Sequence, residues 1–129
     1  MQKLQIDRTR WRRGYSLVRM NNLYNSDDGC YCALGWLGKE KLGLDDRDMM
    51  DQSSLAHVLL NLSVVKTSDQ MDVIQKFIQH LDLKKNYSPK CFRETWGSND
   101  SHFIKDSDRE RNLIKIFRVH FNLQLEFIK

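Results

Sequence analysis

Two short segments hold the residue types from which chemistry is made. The first is Gly29-Cys30-Tyr31-Cys32-Ala33-Leu34-Gly35-Trp36-Leu37-Gly38. A thiol near a helix N-terminus has its pKa lowered by the helix dipole. Cys32, or Cys30, is therefore a candidate nucleophile, and His57, His80, His102 and His120 are available as bases. None of the four stands at a diagnostic spacing, because a Cys–His pair is assembled in space. Gly35 and Gly38 are three apart, and each glycine inside a helix costs about 0.8–1.0 kcal/mol relative to Ala. Close approach by another backbone or by a ligand is the usual reason for such a cost, which makes Gly35 a candidate contact. Cys32 lies one turn before Gly35, so the two form a narrow small-residue face. The plain alternative is that this face packs in the interior, where cysteine is common. Cys30-x-Cys32, Cys91 and one histidine would supply the ligands of a metal site. The second closely spaced pair that structural zinc sites use is missing, so no metal and no other cofactor is expected.

The second segment is Arg8-Thr9-Arg10-Trp11-Arg12-Arg13-Gly14-Tyr15. Guanidinium groups grip phosphates and aromatic rings stack on bases, so arginines interleaved with aromatics suit a nucleotide or nucleic acid. The same residues suit an acidic protein surface. Arg8, Arg10, Trp11, Arg12 and Arg13 are therefore binding candidates, against the alternative of a core Trp11 and solvated arginines. Arg111, Lys115 and Arg118 recur at helical spacing and form one more basic stripe. Asn99-Asp100, close to His102, reads as a turn or as part of a polar site, and spacing favours the turn.

These residues sit in a chain of 129 residues and 15.4 kDa, the size of a single domain spanning 1–129. With 40% hydrophobic and 29% charged residues, six Gly and one Pro, it is an ordinary globular sequence, not a disordered or fibrous one. No apolar run approaches the roughly 18 residues that span a bilayer, so no membrane partner is expected. The N-terminus lacks the apolar stretch of a secretory signal, and the three cysteines read as reduced thiols. The net charge of +4 hides a strong asymmetry. Residues 1–19 hold six cations and one acid, a net +5. Residues 27–51 hold three cations and seven acids, a net −4. Lys84, Lys85, Lys90 and Arg93 make a further basic stretch. Such a chain steers a charged partner over a Debye length of about 8–10 Å, or neutralises itself where its patches meet.

The elements that must position these groups follow from periodicity. Leu4 and Ile6 alternate with polar residues and predict a strand over 3–7. Residues 16–24 fit either a helix or a hairpin arm, and Asn25 to Gly29 is a turn. A helix is predicted from Cys30 to Leu42, with Gly43 as its left-handed cap. Asp45 to Asp51 is acidic and holds one helical turn. Two more helices are predicted around Leu55–Leu62 and Met71–Leu81, and residues 84–104 read as loop. Ser107 to Glu110 has the capping-box pattern at the start of a last helix, whose buried stripe is Leu113, Ile114, Phe117 and Phe121. Leu123, Leu125 and Phe127 alternate and close the chain as a strand. The expected class is α+β, a small sheet including both terminal strands packed against about four helices.

In order along the chain stand Trp11-x-Arg13-Gly14, Gly29-x-x-Cys32-x-Leu34-Gly35, Asn99-Asp100 and Arg109-Glu110. This succession resembles a family of small uncharacterised bacteriophage and prophage proteins with W-x-R-G, G-x-x-C-C-L-G, N-D and R-E elements. The family's second adjacent cysteine falls on Ala33 here, and Cys30 is extra, which favours a packing role over vicinal-dithiol chemistry. The resemblance implies a phage accessory product acting in the bacterial cytoplasm. The leading expectation is a non-enzymatic binder that inhibits a host component, a defence factor among the candidates, through an acidic surface on that component. A nucleotide or nucleic-acid binder, including one that sequesters a signalling nucleotide, is the second. A cysteine-dependent enzyme is the third.

Overall fold

Leu4 and Ile6 leave the first strand on its buried face, with 1% and 0% of their surface exposed. Removing each from water contributes about 1.5–3 kcal/mol, which fixes the register of a strand only six residues long. The computed structural model describes residues 1–13, 23–25, 28–50, 76–77, 95, 98–99, 101 and 104–129. In chain order these form β1 (Gln2–Asp7), a 3-10 turn (Arg8–Arg10), β2 (Tyr24–Asn25), β3 (Cys30–Tyr31), α1 (Ala33–Lys41) and α2 (Asp46–Met50). They end with α3 (Asp106–His120) and β4 (Leu123–Ile128). The class is α+β, as the sequence predicts. Three α-helices have their bounds among the described residues, and Lys76, Phe77, Thr95, Ser98 and Asn99 are helical outside them.

The two terminal strands pair with each other in parallel, Leu4 opposite Leu125 and Ile6 opposite Phe127. Nearly the whole chain is the connection between them. The return is made by α3, which ends at Phe121 and reverses through Asn122 at φ 53°. Asn tolerates this left-handed conformation better than most residues, so one position suffices to turn the chain into β4. Leu113 and Phe117 of α3 are fully buried and Phe121 nearly so, and Ile114 is half-buried beside them.

β1 ends where the Asp7 carboxylate accepts hydrogen bonds from the Thr9 backbone N–H at 2.9 Å and from the Thr9 hydroxyl at 2.6 Å. This bends residues 8–10 into the 3-10 turn and delivers Trp11 to the interior. Trp11 then bridges Tyr31, and the Arg12 N–H donates to the Tyr31 carbonyl at 2.9 Å.

That pairing corrects the predicted start of the first long helix. Cys30 and Tyr31 are extended, paired with Tyr24–Asn25 on one side and with the Trp11 segment on the other. The helix begins at Ala33, and its cap is the Cys32 sulfur, which accepts from the Gly35 N–H at 3.4 Å. Its end is as expected, with Leu42 closing the last turn and Gly43 at φ 68°. The single acidic turn is also as predicted: α2 starts with the Asp45 carboxylate accepting from the Asp48 N–H at 2.8 Å.

The capping box is not formed. α3 starts at Asp106 after Lys105, with no side-chain cap, and Glu110 is engaged by Arg8. A bidentate guanidinium–carboxylate pair competes with a single bond back to a solvent-accessible N–H, and it wins. The loop reading of 84–104 also needs correction, because Thr95, Ser98 and Asn99 are helical and Thr95 and Asn99 are buried. The helix predicted over Leu55–Leu62 lies outside the described residues. Of the Met71–Leu81 helix, Lys76 and Phe77 are described: both are helical, and Phe77 is fully buried.

Candidate functional site

The short motifs converge on Asn99. Its side-chain oxygen accepts from the Trp11 indole N–H at 2.8 Å and from the Ala33 backbone N–H at 3.1 Å. Its side-chain amide donates to the Arg12 carbonyl at 3.0 Å. Its own carbonyl accepts from Arg109 at 2.7 Å, and Arg109 also donates to the carbonyls of Ser98 and Ile104. Asn99 and Arg109 are 2% and 3% exposed. Buried polar groups of this kind must be paired, and here each one is paired with another. Asn99 thus ties the Trp11 segment to the start of α1, and Arg109 ties Asn99 to α3. The turn that spacing favours for Asn99 is replaced by an internal polar node. Asp100 and His102 lie outside the described residues.

The arginine run is divided among different tasks. Arg8 grips Glu110 through two bonds of 3.0 and 2.7 Å and lies over the Phe127 ring. Arg13 reaches Asp106 at 3.1 Å, donates to the carbonyls of Arg8 and Trp11, and covers the Trp11 ring at 4.5 Å. Arg12 and Trp11 are buried. Arg8 and Arg13 of the basic arm are therefore paired with the first turns of α3. Arg10 differs. It donates to the Gly29 carbonyl and sits over Tyr31 at 5.3 Å, and it has no carboxylate partner among the described residues.

The glycine–cysteine segment packs inward. A Cβ built on Gly35 would lie 2.0 Å from the Leu23 backbone oxygen, so the close approach that its glycine requires is made by the chain itself. Cys30 and Cys32 are both thiols and both half-buried. Burial, with Asp28 beside it, pushes the Cys30 thiol above its ordinary pKa, the direction opposite to a thiolate nucleophile. Of the four histidines, His120 alone is among the described residues, exposed at the end of α3. No group of three metal-ligating side chains is found among the described residues, and Cys91 lies outside them. On α3, Arg111, Lys115 and Arg118 are exposed, and Arg111 pairs with Asp108 at 3.2 Å.

A different surface gathers unspent charge. A cleft of about 450 Å³ lies between β1 and the end of α1, with Lys3, Asp7, Arg10, Trp36, Lys39, Glu40 and Lys41 in its wall. Lys3 is paired with Glu126 at 3.2 Å. Lys39 stands over the rings of Tyr31 and Trp36, at 4.7 and 5.4 Å, and neither it nor Lys41 has a carboxylate partner among the described residues. Trp36 is 5% exposed, and its indole N–H is the one buried side-chain polar atom among the described residues without a hydrogen bond. Sequence reasoning missed these residues because Lys39 and Lys41 fall inside the window of net −4. A trace was present in Lys39 and Glu40, which stand three and four residues after Trp36 on the same helix face.

The chain matches no protein-family model, no curated protein and no solved structure. Among the described residues no helix is long and apolar enough to cross a membrane.

Proposed function

We propose that the chain is a small non-enzymatic binding protein that engages an anionic component of a bacterial host cell, as a phage accessory product would. One observation carries this reading. Lys3, Arg8 and Arg13 of the basic arm are held in ion pairs, whereas Arg10, Lys39 and Lys41 line one cleft and make no ion pair among the described residues. The wall holds four cations against the two carboxylates Asp7 and Glu40, and this positive surplus favours a negatively charged partner. The contact surface therefore shifts from the whole run of residues 8–13 to Arg10 together with the end of α1. Trp11, Arg12 and Arg13 support it from behind.

Affinity capture from host cells tests the reading. Lys39→Glu with Lys41→Glu should abolish capture of whatever the unaltered protein retains, while Arg111→Glu with Lys115→Glu on α3 should leave it intact. Equal retention by the cleft variant would sink the proposal. The nucleotide alternative is favoured by the cleft itself, since a concave site of about 450 Å³ fits a small polar ligand better than a flat protein face.

A further inference from the structure

The geometry points to the ligand class of that cleft: we infer that it holds a phosphorylated small molecule of nucleotide size. The inference rests on the reading above and narrows its anionic partner. Three observations combine. The first is charge. Arg10, from the turn after β1, and Lys39 and Lys41, from the last turn of α1, make no ion pair among the described residues, and with Lys3 they outnumber the two carboxylates of the wall, Asp7 and Glu40. Part of the lysine charge offsets the carbonyl end of α1, but a helix end carries only about half an elementary charge, so a net positive field remains. Guanidinium and ammonium groups converging in this way are the usual partners of phosphate oxygens.

The second is size. Small-molecule sites are typically clefts of about 300–1,000 Å³, and this one has about 450 Å³. Inorganic phosphate or pyrophosphate alone would leave much of it unfilled. Gln5 from β1 and Glu40 from α1 also line the wall. A site for bare phosphate has no use for a carboxylate, whereas a sugar hydroxyl or an exocyclic amine donates to one.

The third is the orphaned donor. Trp36 is 95% buried within the wall of the cleft, and its N–H has no acceptor among the described residues. A buried donor left unpaired costs free energy, so such groups in folded proteins are nearly always satisfied. The atom itself has no accessible surface, so a ligand oxygen supplies the missing acceptor only through a shift of the ring on binding. The ring faces are already covered by Tyr31 and Lys39, so Trp36 acts through its edge and not by stacking on a base.

The test is calorimetric titration of the full chain with ADP, ATP, GTP, inorganic pyrophosphate and a twelve-nucleotide oligothymidylate. A nucleoside polyphosphate should bind at micromolar concentration. Lys39→Glu with Lys41→Glu, and separately Arg10→Gln with Lys41→Gln, should weaken it about tenfold or more, the effect of losing charge-assisted hydrogen bonds. Trp36→Phe, which keeps a ring and removes the donor, should weaken it severalfold. The glutamine pair keeps the test readable if the glutamate pair unfolds the chain. Pyrophosphate binding as tightly as ADP would overturn the nucleotide assignment. Tighter binding of the oligothymidylate would overturn it in favour of nucleic acid. If no probe binds at millimolar concentration, the inference falls. If the cleft variants also retain host capture undiminished, the broader reading falls with it, and if they lose capture that reading stands without a nucleotide.

Discussion

Asn99→Ala should be among the most damaging single substitutions in the described part of the chain. The side chain satisfies three buried partners at once: the Trp11 indole N–H, the Ala33 N–H and the Arg12 carbonyl. Truncation orphans all three. Each buried unsatisfied group costs about 1–3 kcal/mol, and relaxation or an entering water recovers part of it, so the expected loss is about 3–5 kcal/mol. That is a large part of the roughly 5–15 kcal/mol by which a domain is stable. Urea unfolding followed by circular dichroism reads it directly. With a slope of about 1.5 kcal/mol per molar, the midpoint should fall by about 2–3 M. Trp11→Phe removes one of the donors while Asn99 keeps Ala33, so it should cost about 1–2 kcal/mol. In a double-mutant cycle the two should couple by about 1 kcal/mol or more, because the second truncation no longer orphans a partner. If Asn99→Ala fails to fold, the Trp11→Phe loss still carries the test. A loss below about 1 kcal/mol for Asn99→Ala, or additivity within about 0.5 kcal/mol, would refute the node.

Three further outcomes are expected. Gly35→Ala should cost about 2 kcal/mol, or roughly 6–10 °C in Tm, because its Cβ would meet the backbone oxygen of Leu23 at 2.0 Å. Gly38→Ala meets only the flexible tips of Leu44 and Met49 at 3.0 and 3.1 Å, gains helix propensity and should stay within about 1 kcal/mol; the reverse ranking of the two would contradict the packing. For Asp106, burial acts to raise its pKa, but the hydrogen bonds and charges of Arg13 and Arg109 outweigh it and hold the carboxyl below its ordinary 3.8. A carboxyl lowered on folding contributes stability above its unfolded pKa and loses it as pH falls through the folded value. Thermal melts should therefore change little between pH 7 and about pH 5, drop below about pH 4, and show a shallower acid limb in Asp106→Asn. An unchanged limb would count against this ion pairing. Finally, Cys30 should be alkylated by iodoacetamide at pH 7.5 more slowly than free cysteine, since its thiol is pushed up by burial and by Asp28. Mass-spectrometric labelling at or above the free-thiol rate would reopen a nucleophilic role.

The two terminal strands and the two longer described helices were legible because periodicity is local. Leu4 and Ile6, and Leu123 and Leu125, alternate, and Leu113, Phe117 and Phe121 repeat on one helical face. Gly43 marks the end of α1 for a reason inherent in glycine. What was illegible was competition between distant partners. The capping-box pattern of Ser107 and Glu110 was sound as a local signal, but Arg8 takes that glutamate from a turn 102 residues away in sequence. The sequence reads Cys30 as helical, yet its backbone pairs with Tyr24–Asn25. Asn99 looks like a turn residue because its neighbours are Gly97, Ser98 and Asp100. Its burial depends on Trp11 and Arg109 arriving from opposite ends of the chain. The charge asymmetry was visible, but its resolution was not, since linear windows do not show which acids face which cations.

The same comparison separates what the motifs do from what the protein binds. Of the motif residues, Trp11, Arg13, Cys32, Gly35, Asn99, Arg109 and Glu110 are each engaged in an internal contact: an indole bond, an ion pair, a helix cap or a close backbone approach. A side chain already bonded inside the fold must break that bond to bind anything else, so substituting it tests stability first and binding second. Arg10, Lys39, Lys41 and Trp36 are in the opposite position. Their charges and the indole donor are held in place by aromatic contacts and a backbone carbonyl, yet they lack the partners their chemistry prefers. Variants at Arg10, Lys39 and Lys41 should therefore alter affinity at little cost in stability, variants at Trp36, a core residue, should affect both, and variants at the motif positions should act on stability. A chain read by motif alone would direct mutagenesis to Trp11 and Arg13 and mistake unfolding for loss of a contact. Measuring the urea midpoint and the titration on the same set of variants distinguishes the two groups.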